Sequence, residues 1–182
     1  MNTRERTIAK ARELGKEYGR LYTVCPMCSF AAIVDALRSE AGIELVTLEE
    51  EEKIFTGFVA LQGGTAGTSQ GTCGAVIGSS FAVSLATGVG RKEILQNKFA
   101  GATPCMNAID GVTSKFVKEF GSIRCIDICF NRFGKALSFT KPETMREFLK
   151  DAETRPSCET DCTIALGAAW ATEKILDMKG IK

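Results

Sequence analysis

Gln62-Gly63-Gly64-Thr65-Ala66-Gly67-Thr68-Ser69-Gln70-Gly71-Thr72-Cys73-Gly74-Ala75-Val76-Ile77-Gly78-Ser79-Ser80-Phe81-Ala82-Val83-Ser84-Leu85-Ala86 is the stretch whose reading decides the fold. It lies within a longer run, residues 54–90, that carries no charge. Its second half is small and apolar nearly all round, which predicts a helix from about Cys73 to Ala86, buried on several sides. The first half is polar and glycine-rich, so neither flank reaches the ~20 continuous apolar residues of a membrane span. The stretch therefore reads as the buried centre of a soluble domain. The glycines let the backbone come close to whatever sits at the helix start, and the residue placed there is Cys73. No Walker lysine, no G-x-G-x-x-G and no clear preceding strand accompany them, so a nucleotide cradle is disfavoured.

Working outward, helical patterns recur between clear stop signals. Residues 3–20 predict a charge-rich helix that can sit at the periphery. A second helix starts at Cys25-Pro26, with proline suited to a first turn and Met27, Phe30, Val34, Leu37 and Ala41 on one face. Thr47 and Glu50 form a capping box for a third, and the Glu49–Glu52 run then lies at the positive end of its dipole. A short helix is expected near 91–99. Thr103-Pro104 opens another, with Cys105, Ile109, Val112, Phe116 and Phe120 on one face and Gly121 as its stop. Ile123–Phe130 admits either a strand or a short helix. Thr140 and Glu143 form a further capping box, and the last helix begins around Cys158 to Asp161 and ends near Gly180. The expected fold is mainly α: a single domain over residues 1–182, a multi-helix bundle around the helix after the glycine loop.

Composition narrows the chemistry. With 45% apolar residues the chain can build a core without disulfides. Its 23 basic and 22 acidic residues leave a net charge of +1, which argues against nucleic acid as the partner. The N-terminus has no apolar h-region, so a cytoplasmic location is expected. There are eight cysteines and no histidine. That removes Ser-His-Asp and Cys-His catalysis, His-ligated zinc and His-ligated haem. What remains is thiol–disulfide exchange, iron–sulfur ligation or all-thiolate zinc.

The cysteines are Cys25, Cys28, Cys73, Cys105, Cys125, Cys129, Cys158 and Cys162. Several fall at predicted helix starts, where unsatisfied N–H groups favour thiolate and lower the pKa from ~8.5. Cys105, on an apolar face, reads better as a buried small hydrophobe. Cys25-Pro26-Met27-Cys28 looks locally like a glutaredoxin-type dithiol, although the strands of that fold are missing.

Cys73-Gly74-Ala75-Val76-Ile77-Gly78 resembles the CGAxxG signature of the four-cysteine redox family named C_GCAxxG_C_C. The likeness runs from about Cys28 to Leu176. Cys28 in Cys28-Ser29-Phe30-Ala31-Ala32 matches the first family cysteine and Cys73 the second. Cys125, in Phe120-Gly121-Ser122-Ile123-Arg124-Cys125, matches the third, and Cys162 in Cys162-Thr163-Ile164-Ala165-Leu166 the fourth. The resemblance implies that these four converge and bind an iron–sulfur cluster as thiolates, serving electron transfer with a donor or acceptor protein. The remaining four, Cys25, Cys105, Cys129 and Cys158, would form a second set. Two other readings stay open: a thiol–disulfide oxidoreductase using Cys25/Cys28 with Cys73, and a structural all-cysteine zinc site. No membrane span is expected, and an oligomer is compatible with the sequence.

Overall fold

The computed structural model of the chain describes residues 1–135, 141–144, 146, 147, 150 and 162–182. Among these every regular element is helical. The nearest thing to a strand is one antiparallel bridge between Thr72 and Arg124. The elements are α1 (Thr3–Leu21), α2 (Cys25–Ala41), α3 (Leu48–Phe58), α4 (Gly74–Thr87), α5 (Arg91–Gln96), α6 (Ala102–Ala108), α7 (Ser114–Phe120), α8 (Cys125–Phe133) and α9 (Thr163–Met178). A mainly α architecture follows from the 3.6-residue apolar spacing of these segments and the stops between them. No described helix is long and apolar enough to cross a membrane.

Local chemistry sets the helix ends. Asn2 caps α1 by accepting from the Glu5 N–H at 2.9 Å, and Thr47 caps α3 with Glu50 in reciprocal hydrogen bonds. Gly42, Gly88, Gly121 and Gly134 close α2, α4, α7 and α8 in the left-handed conformation. Thr140 of the Thr140/Glu143 capping box lies outside the described residues, as does Cys158.

The core is a four-helix packing of α1, α2, α4 and α9. α1 packs on α2 and α9, and α4 packs on α2 and α9 from the other side. Burial is shared more evenly than the uncharged stretch predicts. α2 presents Phe30, Ile33, Val34, Ala36 and Leu37 fully buried, and α9 does the same with Ala168, Ala171, Ile175 and Leu176. The α4 helix sits among them but leaves Phe81 partly exposed, edge-on to the rings of Phe30 and Phe58. Small residues set the separations. A Cβ on Gly15 would lie 2.7 Å from the Ala165 Cα, so α1 and α9 meet backbone to backbone there.

One expectation is corrected and one open alternative is decided. The run from Ala102 to Phe120 is not one face: a π-helical segment, 109–113, interrupts it. The extra residue in that turn rotates α6 relative to α7. Val112, Phe116 and Phe120 therefore enter the core, whereas Cys105 is exposed and Ile109 is 47% exposed. Cys105 is thus a surface thiol, not a core one. Residues 125–133 form a helix and not a strand. Cys125, Ile128, Cys129 and Phe133 bury one helical face, and the glycine-rich loop caps its N-terminus.

Candidate functional site: a pool of cysteines at helix N-termini

The glycine-rich loop is a backbone clamp. It turns through Gly63, Gly64, Thr65, Ala66, Gly67 and Ser69, all at positive φ. It is held by Ser69 N–H to Gly63 O at 2.8 Å and Gly71 N–H to Gly64 O at 2.9 Å. Its outer carbonyls then accept the orphan N–H groups of α8: Cys125 to Gly71 at 3.0 Å and Ile126 to Ser69 at 2.9 Å. In return Cys73 N–H donates to Ile123 O at 2.8 Å. These bonds dock the start of α4 against the start of α8. They also occupy the Ser69, Gly71 and Cys73 N–H groups. At Gly64 only glycine fits, since φ is +70° and a Cβ would stand 2.8 Å from the Cys125 Cβ.

The second close approach joins α4 to α2. A Cβ on Gly74 would meet Pro26 Cδ at 2.6 Å and Cys25 Cβ at 2.8 Å, and one on Gly78 would meet Pro26 O at 2.2 Å. Gly74 and Gly78 lie one turn apart, and this glycine stripe brings Cys73 beside Cys25. The CGAxxG motif therefore has a packing reason: its glycines let α4 lie on the first turn of α2.

The outcome is a pool of thiols. Cys25 opens α2 and Cys125 opens α8, Cys73 and Cys162 are the N-cap residues of α4 and α9, and Cys28 and Cys129 follow Cys25 and Cys125 by about a turn. Cys25 has Cys73, Cys28, Cys162 and Cys129 as electrostatic neighbours. Cys28 has Cys162 as such a neighbour, Cys73 has Cys129, and Cys125 has Cys129, Cys73 and Cys25. Among the family-pattern residues, Cys28 and Cys162 are therefore electrostatic neighbours, as are Cys73 and Cys125, and Cys25 neighbours members of both pairs. Cys105 is among the leading neighbours of none of these.

Burial reverses the expected acidity. Backbone N–H groups of Ala75 and Val76 do reach the Cys73 sulfur at the start of α4, yet desolvation outweighs them and pushes this thiol up to about 11. Cys28 is pushed up to about 12, first by burial and then by Cys162. Its Sγ donates to Tyr18 O at 3.2 Å. Burial and then Cys73 raise Cys25 well above the ordinary thiol range. Cys125 and Cys129 split: Cys125 holds the proton and donates it to Cys129, which raises Cys125 and lowers Cys129. Arg132 contributes to the lowering at Cys129 and opposes the rise at Cys73, its guanidinium held 5.7 and 5.4 Å from the Phe120 and Phe133 ring centres.

A pH dependence results. Cys28 and Cys73 are protonated in the fold at pH values where unfolded thiols ionise, from ~8.5 upward. Their contribution is complete below that pH and is lost as pH rises through about 11 and about 12. The metal-free protein should therefore lose stability steadily above about pH 8.5 in denaturant titrations, and Cys73→Ala should flatten that slope. An unchanged slope would remove Cys73 from the buried set.

Among the described residues no group of three or more Cys, Asp or Glu side chains is placed to hold a single metal ion. The described residues form a helical, cysteine-rich bundle in which Cys25, Cys28, Cys73, Cys125, Cys129 and Cys162 lie at or within about a turn of helix starts. A family model described as "putative redox-active protein (C_GCAxxG_C_C)" matches residues 25–174, and the chain belongs to that family. No curated protein and no solved structure matches it.

Sequence reasoning leaves Cys25 and Cys129 outside the family pattern. The signal that could have placed them is their spacing: each stands about one helical turn from a pattern cysteine. The contribution of Arg132 has no such signal, because it depends on α8 being a helix.

Proposed function

We propose that the protein is a redox protein that holds an iron–sulfur cluster through Cys28, Cys73, Cys125 and Cys162, with Cys25 and Cys129 alongside. The observation that carries this reading is the pool itself: buried thiols gathered at helix starts that raise one another's pKa. Thiol–disulfide exchange needs an accessible sulfur with a lowered pKa. All three have raised pKa values, and Cys28 and Cys73 are buried while Cys25 is half-buried, which weighs against a Cys25/Cys28 exchange pair with Cys73. Binding to a soft metal centre deprotonates coordinating thiols outright, so a centre with its own positive charge suits them. A closed zinc site asks for donors gathered on one ion, whereas cluster ligands ride on different irons.

A bound cluster would supply one-electron transfer, the partner being a donor or acceptor protein. The chain's own part is to bury the site, to direct the Ala75 and Val76 N–H groups at one ligand sulfur, and to add the Arg132 charge. Free thiols suit a reducing compartment such as the cytoplasm.

Protein purified without oxygen should contain iron and acid-labile sulfide and show broad absorption near about 400 nm. A colourless protein whose free-thiol count rises on reduction would replace this reading with the dithiol. Stoichiometric zinc without a redox response would replace it with the structural site.

A further inference from the structure

We infer that residues 91–99 form a docking surface for an anionic lipid bilayer. This inference stands apart from the cysteine site. The segment exposes large apolar side chains on a short helix and the turn after it: Phe99 is 85% exposed, Leu95 76% and Ile94 44%. Side chains this exposed stand clear of neighbours, and apolar groups grouped so closely in sequence point to a contact surface. Around them Arg91, Lys92 and Lys98 are also exposed, and none makes an ion pair within the described residues. The carboxylate of the stretch, Glu93, is turned back to accept the Gly90 N–H at 2.9 Å. The surface therefore offers free cations beside apolar tips, the composition that places a segment in the headgroup region of an anionic membrane.

Charge and position argue against other occupants. A second copy docked face to face would bring the same unpaired cations together. An electron partner should dock near the cysteines, but this segment comes after the far end of α4. Cys73 caps the start of that helix, whose 14 residues put about 20 Å between its ends. Projecting side chains suit a fluid bilayer, which needs no preformed pocket for them.

Co-sedimentation of the full chain with vesicles tests the inference. Vesicles of phosphatidylcholine alone should leave the protein in solution, and vesicles containing phosphatidylglycerol should pellet it, less so at high salt. Each cation removed should weaken binding roughly fivefold, so Arg91→Gln/Lys92→Gln/Lys98→Gln together should weaken it on the order of a hundredfold. Leu95→Ser/Phe99→Ser should weaken it at least tenfold, roughly the scale of apolar burial. All of these side chains are exposed, so circular dichroism and iron content should not change. Absence of vesicle binding, or binding that both variants retain, overturns the inference. A dimer by light scattering that Leu95→Ser/Phe99→Ser abolishes, with no vesicle binding, overturns it in favour of a second copy.

Discussion

Replacing Gly78 by alanine is expected to lower stability by about 2 kcal/mol or more, although alanine is the better helix former. At an open helical position the exchange would gain up to about 1 kcal/mol. Here the new Cβ would fall 2.2 Å from Pro26 O, 2.4 Å from Ser29 Oγ and 3.0 Å from Pro26 C. Two of those atoms are backbone at the start of α2, where a shift must move the helix itself. Overpacking of this kind typically costs about 1–3 kcal/mol and sometimes more. The displacement would also draw Cys73 away from Cys25. Gly57→Ala in α3 is the matched control, since its Cβ would meet nothing within 4 Å. It should gain about 0.5–1 kcal/mol. Denaturant midpoints of the two variants measure the contrast. A Gly78→Ala protein at or above the wild-type midpoint would mean that α4 does not lie on α2 at this point.

The features written locally are the legible ones. Thr47 and Glu50 cap α3 through side chains three residues apart, a signal that needs no tertiary information. The cysteines at helix starts and the glycine stops are local in the same sense. The features that escape the sequence depend on distant groups or on a small change of helical pitch. Regular spacing puts Cys105 on the face of Val112 and Phe116, and one wide turn at 109–113 moves it into solvent. The helix terminus alone would make Cys73 acidic. The opposing desolvation comes from the groups that pack over it, and periodicity along one chain does not weigh the two. The uncharged stretch overstates α4 relative to α2. A helix carrying Asp35 and Arg38 can still bury most of its surface when those charges point to one rim, where Arg38 bonds Glu51 at 2.8 Å and Asp35 at 3.0 Å.

Cys73→Ser is expected to abolish or labilise the iron–sulfur centre while leaving the bundle folded. The substitution exchanges a soft thiolate for a hard, weakly acidic hydroxyl, which a cluster iron holds poorly. It should not unfold the protein, because Cys73 is the N-cap of α4 and serine is among the residues preferred there. The Ala75 and Val76 N–H groups that reach the sulfur would find an oxygen acceptor in its place. Loss of cofactor with an unchanged helical spectrum would then report ligation and not misfolding. Cys105→Ser is the bystander. Its side chain is exposed on α6, so the change should cost no more than about 0.5 kcal/mol and leave iron and sulfide at wild-type levels. Both variants are compared after anaerobic purification, by iron and sulfide content alongside circular dichroism. Full cofactor in Cys73→Ser together with its loss in Cys105→Ser would move the centre away from the helix starts and onto the surface of α6.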